Sequence, residues 1–175
     1  MQFKDSETSQ NVKKAFMRES SAFMEYFFYS VVAKQEGYEQ LYKIFNQIAD
    51  NEKAHAEIWF KLYHNFFDTK TNLLNSADLE RYEYSEMYST FSKIATNEGF
   101  TDIAELFDGV GKIEKDHEKT FKALAQTLEN KEVFKKKKEV QWKCSNCGNI
   151  ITGTSAPGTC PICSHPQAYF FELKD

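Results

Sequence analysis

The sequence predicts an all-α four-helix bundle followed by a small, loop-rich module that holds a metal ion on four cysteines. Three observations carry this reading. Residues 10 to 130 contain no proline, and their apolar residues recur at alternating steps of three and four, the period of amphipathic helices. Each of the four apolar stripes is interrupted near its middle by glutamate, twice with a histidine three residues further on. All four cysteines lie between Cys144 and Cys163, and all three prolines fall from Trp142 onward.

The first helix follows Val12, Ala15, Glu19, Ala22, Tyr26, Tyr29 and Ala33. The second follows Leu41, Phe45, Ile48, Glu52, His55, Trp59, Leu62 and Phe66. The third runs through Leu73, Ala77, Glu80, Glu83 or Tyr84, Met87, Phe91 and Ile94, and the fourth through Ile103, Phe107, Val110, Glu114, His117, Phe121, Leu124 and Leu128. Gly37 and Gly99 stand at the turns after the first and third helices, where a residue at ease in the left-handed conformation ends a helix at little cost. Two helical hairpins result. The run Lys135 to Lys138 reads as a solvated linker, so the expected domains are 1–138 for the bundle and 139–175 for the cysteine module.

Bulk properties exclude several functions. A net charge of -4 describes a solvated acidic surface and gives nucleic acid no purchase. The N-terminus lacks a signal-peptide pattern, and no stretch approaches the ~20 apolar residues of a membrane span. Cysteines confined to two CxxC pairs fit a reducing compartment. A soluble cytoplasmic protein is expected, without nucleic-acid or membrane partners.

The carboxylates in the apolar stripes are the informative anomaly. Packed together, the seams would bury Glu19, Glu52, Glu80, Glu83 and Glu114, accompanied by His55 and His117. Burying one unpaired carboxylate costs at least several kcal/mol, and five together repel one another further. The seams contain no lysine or arginine to neutralise them, whereas two metal ions would, and carboxylate oxygen with imidazole nitrogen suits iron or manganese. Glu52-x-x-His55 and Glu114-x-x-His117 each put both side chains on one helical face, the arrangement of di-metal carboxylate bundles. One such pair alone arises by chance on solvated helices; two in register with Glu19 and Glu80 make an internal repeat around a pseudo-symmetric site. Glu83, one turn after Glu80, is an extra ligand. Tyr26 and Tyr88 lie a turn or two from ligand glutamates, where each serves either as a hydrogen-bond donor or as aromatic packing. His64 and His165 read as structural or surface residues.

Cys144 and Cys147 form one knuckle and Cys160 and Cys163 another, twelve residues apart. Four thiolates so spaced bind iron or zinc, and spacing alone does not choose between them. CxxCG followed by CPxC, with Trp142 before and Tyr169 and Phe170 after, resembles rubredoxin and favours iron.

With both modules read, the chain resembles the rubrerythrins over essentially its full length: a ferritin-like domain, then a rubredoxin-like domain. AFMRES around Glu19, DNEKAH at Glu52 and His55, ERYEYSEMY at Glu80 and Glu83, and EKDH at Glu114 and His117 match that family's ligand positions, and no ligand position departs from the pattern. The resemblance implies two irons in the bundle and one on the cysteines. Glu52 and Glu114 would bridge the pair, Glu19 would hold the first iron, and Glu80 with His117 the second. Glu83 and His55 would alternate on the first iron between oxidised and reduced states.

The activity so implied is a peroxidase that reduces hydrogen peroxide to water in oxidative-stress defence, with Glu83, His55, Tyr26 and Tyr88 at the reacting centre. Its electrons would come from a reduced rubredoxin or an NAD(P)H-dependent flavoprotein, since nothing here forms a Gly-rich dinucleotide loop. The alternatives are a ferroxidase or iron-storage bundle, and a non-catalytic metal-binding protein with a structural zinc ribbon. One further expectation concerns assembly. From Glu52 to Phe66 and from Leu73 to Glu80 the helical stripes span about 31 Å in all, whereas the seven steps from Phe66 to Leu73 reach about 24 Å. A homodimer with exchanged hairpins follows from that shortfall.

Overall fold

A computed structural model describes residues 2–64 and 66–173, and the chain divides between Phe67 and Asp68 into two compact units. The first is a helical hairpin of α1 (Glu7–Gln35) and α2 (Glu39–Tyr63). Ser6 opens α1 by accepting a hydrogen bond from the Ser9 amide at 3.1 Å, satisfying one of the orphan donors of the first turn. Its end is closed at Gly37, with the Tyr38 amide reaching back to the Ala33 carbonyl at 2.9 Å. The residues buried along the hairpin are small: Ser9, Val12, Ala22, Ser30 and Ala33 on α1, and Ala49 and Ala56 on α2.

The second unit begins with α3 (Thr69–Tyr82), capped by Asp68, whose carboxylate accepts from the Thr71 amide at 3.0 Å and the Thr71 hydroxyl at 2.7 Å. A π-helical turn, Glu83–Met87, joins it to α4 (Tyr88–Asn97), and α5 (Thr101–Glu129) returns antiparallel. The expected third helix is thus α3, the π turn and α4 in sequence. Within this stretch the Ser85 hydroxyl donates to the Arg81 carbonyl at 2.7 Å, competing with the backbone amide for that acceptor and easing the wide turn. Gly99 repeats the closure at Gly37, with the Phe100 amide on the Ala95 carbonyl at 2.8 Å. Phe66, read as the end of the second helical stripe, lies beyond α2. No described helix is long and apolar enough to cross a membrane.

The C-terminal module is a three-stranded antiparallel sheet of order β2-β1-β3, from β1 (Lys135–Cys144), β2 (Ile150–Ser155) and β3 (Phe170–Glu172). Lys135 to Lys138, expected as linker, form the first half of β1, where the ladder to β2 is irregular between Lys135 and Val140. Among them Lys136 is half-buried, and its ammonium pairs with the Glu172 carboxylate of β3 at 3.1 Å. Trp142, Cys144, Ala156, Cys160 and Phe170 make a small buried core. The Trp142 indole N–H donates to the Gly153 carbonyl at 3.0 Å.

Candidate metal centres

In the first unit, Glu19 on α1 and Glu52 and His55 on α2 bring one ligand atom each within 4.8 Å of the others. His55 Nδ1 lies 2.9 Å from Glu52 Oε2. Glu19 titrates above the ordinary carboxylate range because it is desolvated and because Glu52 stands beside it. Glu52 titrates below that range, held by its hydrogen bonds with His55 and Glu19. Crowding two carboxylates together moves their titrations apart in this way, one upward and the other downward.

The second unit repeats the pattern. Glu80 on α3 and Glu114 and His117 on α5 again lie within 4.8 Å of one another. His117 Nδ1 is 2.6 Å from Glu114 Oε2 and 3.8 Å from Glu80 Oε2. Desolvation and the neighbouring Glu114 raise Glu80, and the same two causes raise Glu83 on the π turn. Glu83 stands outside the close group, so the structure places three of the four predicted ligands of this unit together. Each group pairs two carboxylates with one imidazole and no basic side chain among its members, which is a donor set fitted to iron or manganese.

The tyrosines divide differently from the sequence reading. Tyr26 packs its ring near Tyr29 and Phe45, and Tyr88 near Phe91 and Phe107. Burial and the carboxylate of Glu83 raise the Tyr88 phenol. A third tyrosine makes the polar contact: the Tyr84 hydroxyl donates to Glu118 at 3.0 Å, and Lys122 holds the other oxygen at 2.5 Å. The sequence reading omits Glu118 and Lys122, though their i, i+4 spacing on α5 was there to be read. His64 stacks among Phe16, Phe60 and Tyr63.

The cysteine module is built as two matching knuckles. Gly148 and Ser164, each following the second cysteine of its pair, both take positive φ, 77° and 59°. Their amides donate to the Cys144 and Cys160 carbonyls, both at 2.9 Å. The Cys144 and Cys160 amides bond in turn to the Asn149 and His165 carbonyls, both at 2.8 Å. All four sulfurs lie within 4.8 Å, with Cys144 to Cys163 and Cys147 to Cys160 at 3.7 Å. A tetrahedron of thiolates about 2.3 Å from a central ion has edges of about 3.8 Å, so the sulfurs stand at metal-binding separation. The His165 backbone amide, directed at the Cys163 sulfur, leads the causes that bring that thiol down to about 6. A thiolate is the ligand form.

These features define a class: a ferritin-like carboxylate–histidine metalloprotein carrying a rubredoxin-like cysteine module. Comparison with known proteins narrows it. The rubrerythrin family model matches residues 10–125, and the rubrerythrin rubredoxin-like domain matches residues 142–171. The chain is 40% identical to rubrerythrin-1 of Clostridium acetobutylicum, over 98% of this chain and 97% of that one. It is 38% identical to rubrerythrin of Porphyromonas gingivalis, over 98% and 92%. A solved structure of nigerythrin in a partially reduced state aligns at 25% identity with a TM-score of 0.38, covering 96% of this chain and 87% of that one. The chain belongs to the rubrerythrin family, and iron is the metal that family membership supports.

Proposed function

We propose that this protein is a cytoplasmic peroxidase of oxidative-stress defence that reduces hydrogen peroxide to water. When bound, two irons on the carboxylate–histidine ligands supply the electron pair that cleaves the O–O bond, and a third on the four cysteines supplies its one-electron replacement. Each turnover consumes two electrons and two protons and yields two waters. The observation that carries the reading is the pairing, in one chain, of Glu-Glu-His groups with a tetrahedral thiolate set: iron oxidation for storage has no use for an electron-return module, whereas peroxide reduction requires one.

Glu19, Glu52, Glu80, Glu114, His55 and His117 would hold the irons, and Cys144, Cys147, Cys160 and Cys163 the third. Glu83 and His55 would serve as alternative ligands, one an anion that favours the oxidised pair and the other a neutral imidazole that favours the reduced one. Glu83 sits on a π turn, a backbone irregularity that recurs at functional sites. Tyr26 and Tyr88 are the hydroxyl donors proposed to orient peroxide. Electrons would enter from a reduced rubredoxin or an NAD(P)H-dependent flavoprotein.

Stopped-flow mixing of fully reduced protein with peroxide and, separately, with oxygen tests this. Oxidation by peroxide is expected to be the faster by at least tenfold; equal rates would remove the peroxidase reading. His55→Ala is expected to slow oxidation by peroxide while leaving the visible thiolate-to-iron bands of the cysteine module unchanged. A rate equal to wild type would sink the exchange of ligands.

A further inference from the structure

We infer that the sheet of the cysteine module is a docking surface for an acidic protein electron donor, seated on Lys135, Lys137 and Lys138 at one end of β1 and on Lys143, Ile150 and Phe171 at the other. The inference rests on the reading that electrons return through the cysteine module, and deepens it by naming the kind of partner and its seat. Its first support is charge. Residues 135–175 hold six lysines against three acids, a net of +3, whereas residues 1–134 hold 16 basic and 23 acidic side chains, a net of -7. A chain that is acidic as a whole thus gathers positive charge on the module where electrons would enter, and its remainder repels the partner that the module attracts. On β1 itself, Glu139 is the single acid against five lysines. Glu172 holds Lys136, but Lys135, Lys137 and Lys138 are exposed and, like Lys143, have no ion-pair partner among the described residues.

The second support is apolar surface beside a candidate ligand. Trp142 and Cys144 are buried, so Lys143 between them turns to the opposite face of the sheet. The ladders set Ile150 of β2 and Phe171 of β3 directly opposite Lys143, and residues so paired share a face. Ile150 is 48% and Phe171 45% exposed. Two large apolar side chains around a lysine, one residue from Cys144, make the core of an interface, and the lysines further along β1 make its charged rim. The dimensions select a protein as the occupant. Lys135 and Lys143 lie eight residues apart on β1, about 26 Å at ~3.3 Å per residue. A partner of standard size covers about 800 Å², a patch roughly 30 Å across, and so reaches both ends. A small reductant at the cysteines does not feel the far lysines, because exposed charges are screened within about 8 Å at physiological salt. One electron passes from the docked donor, which is oxidised by one unit, to the ferric ion held by the cysteines, which becomes ferrous; no bond breaks and no proton moves.

Salt and charge reversal test it, with a rubredoxin of net negative charge as the probe and the full iron-loaded chain as its partner. Binding is measured by titration calorimetry with both proteins oxidised, at about 0.02 M and about 0.3 M salt. Wild-type Kd is expected to rise at least tenfold between the two. Lys135→Glu/Lys137→Glu/Lys138→Glu is expected to weaken binding at low salt by at least tenfold and to abolish its salt dependence, and the corresponding triple arginine variant is expected to bind as wild type does. Phe171→Ala should weaken binding severalfold and leave the salt dependence in place. Reduction of the cysteine-bound iron by reduced rubredoxin, followed in the visible thiolate-to-iron bands, should slow in parallel with binding in the glutamate variant, whereas its reduction by ascorbate should stay within twofold of wild type. No binding at low salt, wild-type binding insensitive to salt, a glutamate variant that binds as wild type does, or an equal slowing with ascorbate would each overturn the docking surface. Should binding follow the lysines while reduced wild type reacts no faster with peroxide than with oxygen, the docking surface stands and the peroxidase reading falls.

Discussion

Glu118 is 7% exposed, and its charge is held between the Lys122 ammonium and the Tyr84 hydroxyl. This contact ties the π turn to α5 one residue from both Glu83 and His117, so it positions the ligand-bearing backbone. Its pH dependence has two limbs. Lys122 and Tyr84 hold Glu118 below its ordinary 4.5, so the stabilisation is present above that value and is lost as pH falls through the lowered one. Glu118 and burial raise Tyr84 above its ordinary 10.0, so its share is present below that value and is lost as pH rises through the raised one. Thermal midpoints measured from pH 9 to 11 should fall less steeply for Tyr84→Phe than for wild type; parallel curves would show that the phenol does not stabilise the fold. In the cysteine module, Gly148 at φ 77° carries the matching residue-scale test. Gly148→Ala is expected to cost about 1–2 kcal/mol in denaturant unfolding of the module, since an L side chain is strained in that conformation.

Along the elements, a small residue stands one helical turn from each of four ligand glutamates: Ala22 beside Glu19, Ala49 beside Glu52, Ala77 beside Glu80 and Gly111 beside Glu114. The three alanines are 4%, 2% and 1% exposed, and a Cβ added at Gly111 would lie 3.4 Å from the Tyr88 Cβ. Small side chains let neighbouring helices approach closely enough for one-turn-long glutamates to share an ion. Ala49→Leu and Ala77→Leu should each destabilise the protein by about 1–3 kcal/mol through overpacking, and lower bundle metal content as the helices separate. Full metal occupancy in both would dismiss the spacing argument. The glutamate and histidine positions were legible because ionisable residues in an apolar stripe stand out against a 3.6-residue period. The alanine seam was harder to read, since alanine fits either face of a helix. The π turn was illegible: one extra residue in one turn leaves Glu80 and Glu83 on the same side, and the stripe tolerates it by admitting either Glu83 or Tyr84.

For the whole molecule, the order of modules and the four cysteines were plain in the sequence, and so was the shortness of the link. The fate of Lys135 to Lys138 was not, because four lysines in a row have no alternation to betray a strand. Their place in β1 gives the module a span of 39 residues, from Lys135 to Leu173, within the size that seldom folds without a metal or disulfide. Two of the five residues in its buried core, Cys144 and Cys160, are themselves candidate ligands. Metal binding and core formation are therefore one event. In Cys144→Ser/Cys160→Ser the module should open while the helices persist. Far-ultraviolet helical signal is expected to stay within a tenth of wild type. Limited proteolysis should cut beyond Lys131 at least tenfold faster, and Trp142 emission should shift to the red as the indole meets water. A variant that resists protease at the wild-type rate would mean that the sheet β2-β1-β3 folds on its apolar residues alone, with the metal as a passenger.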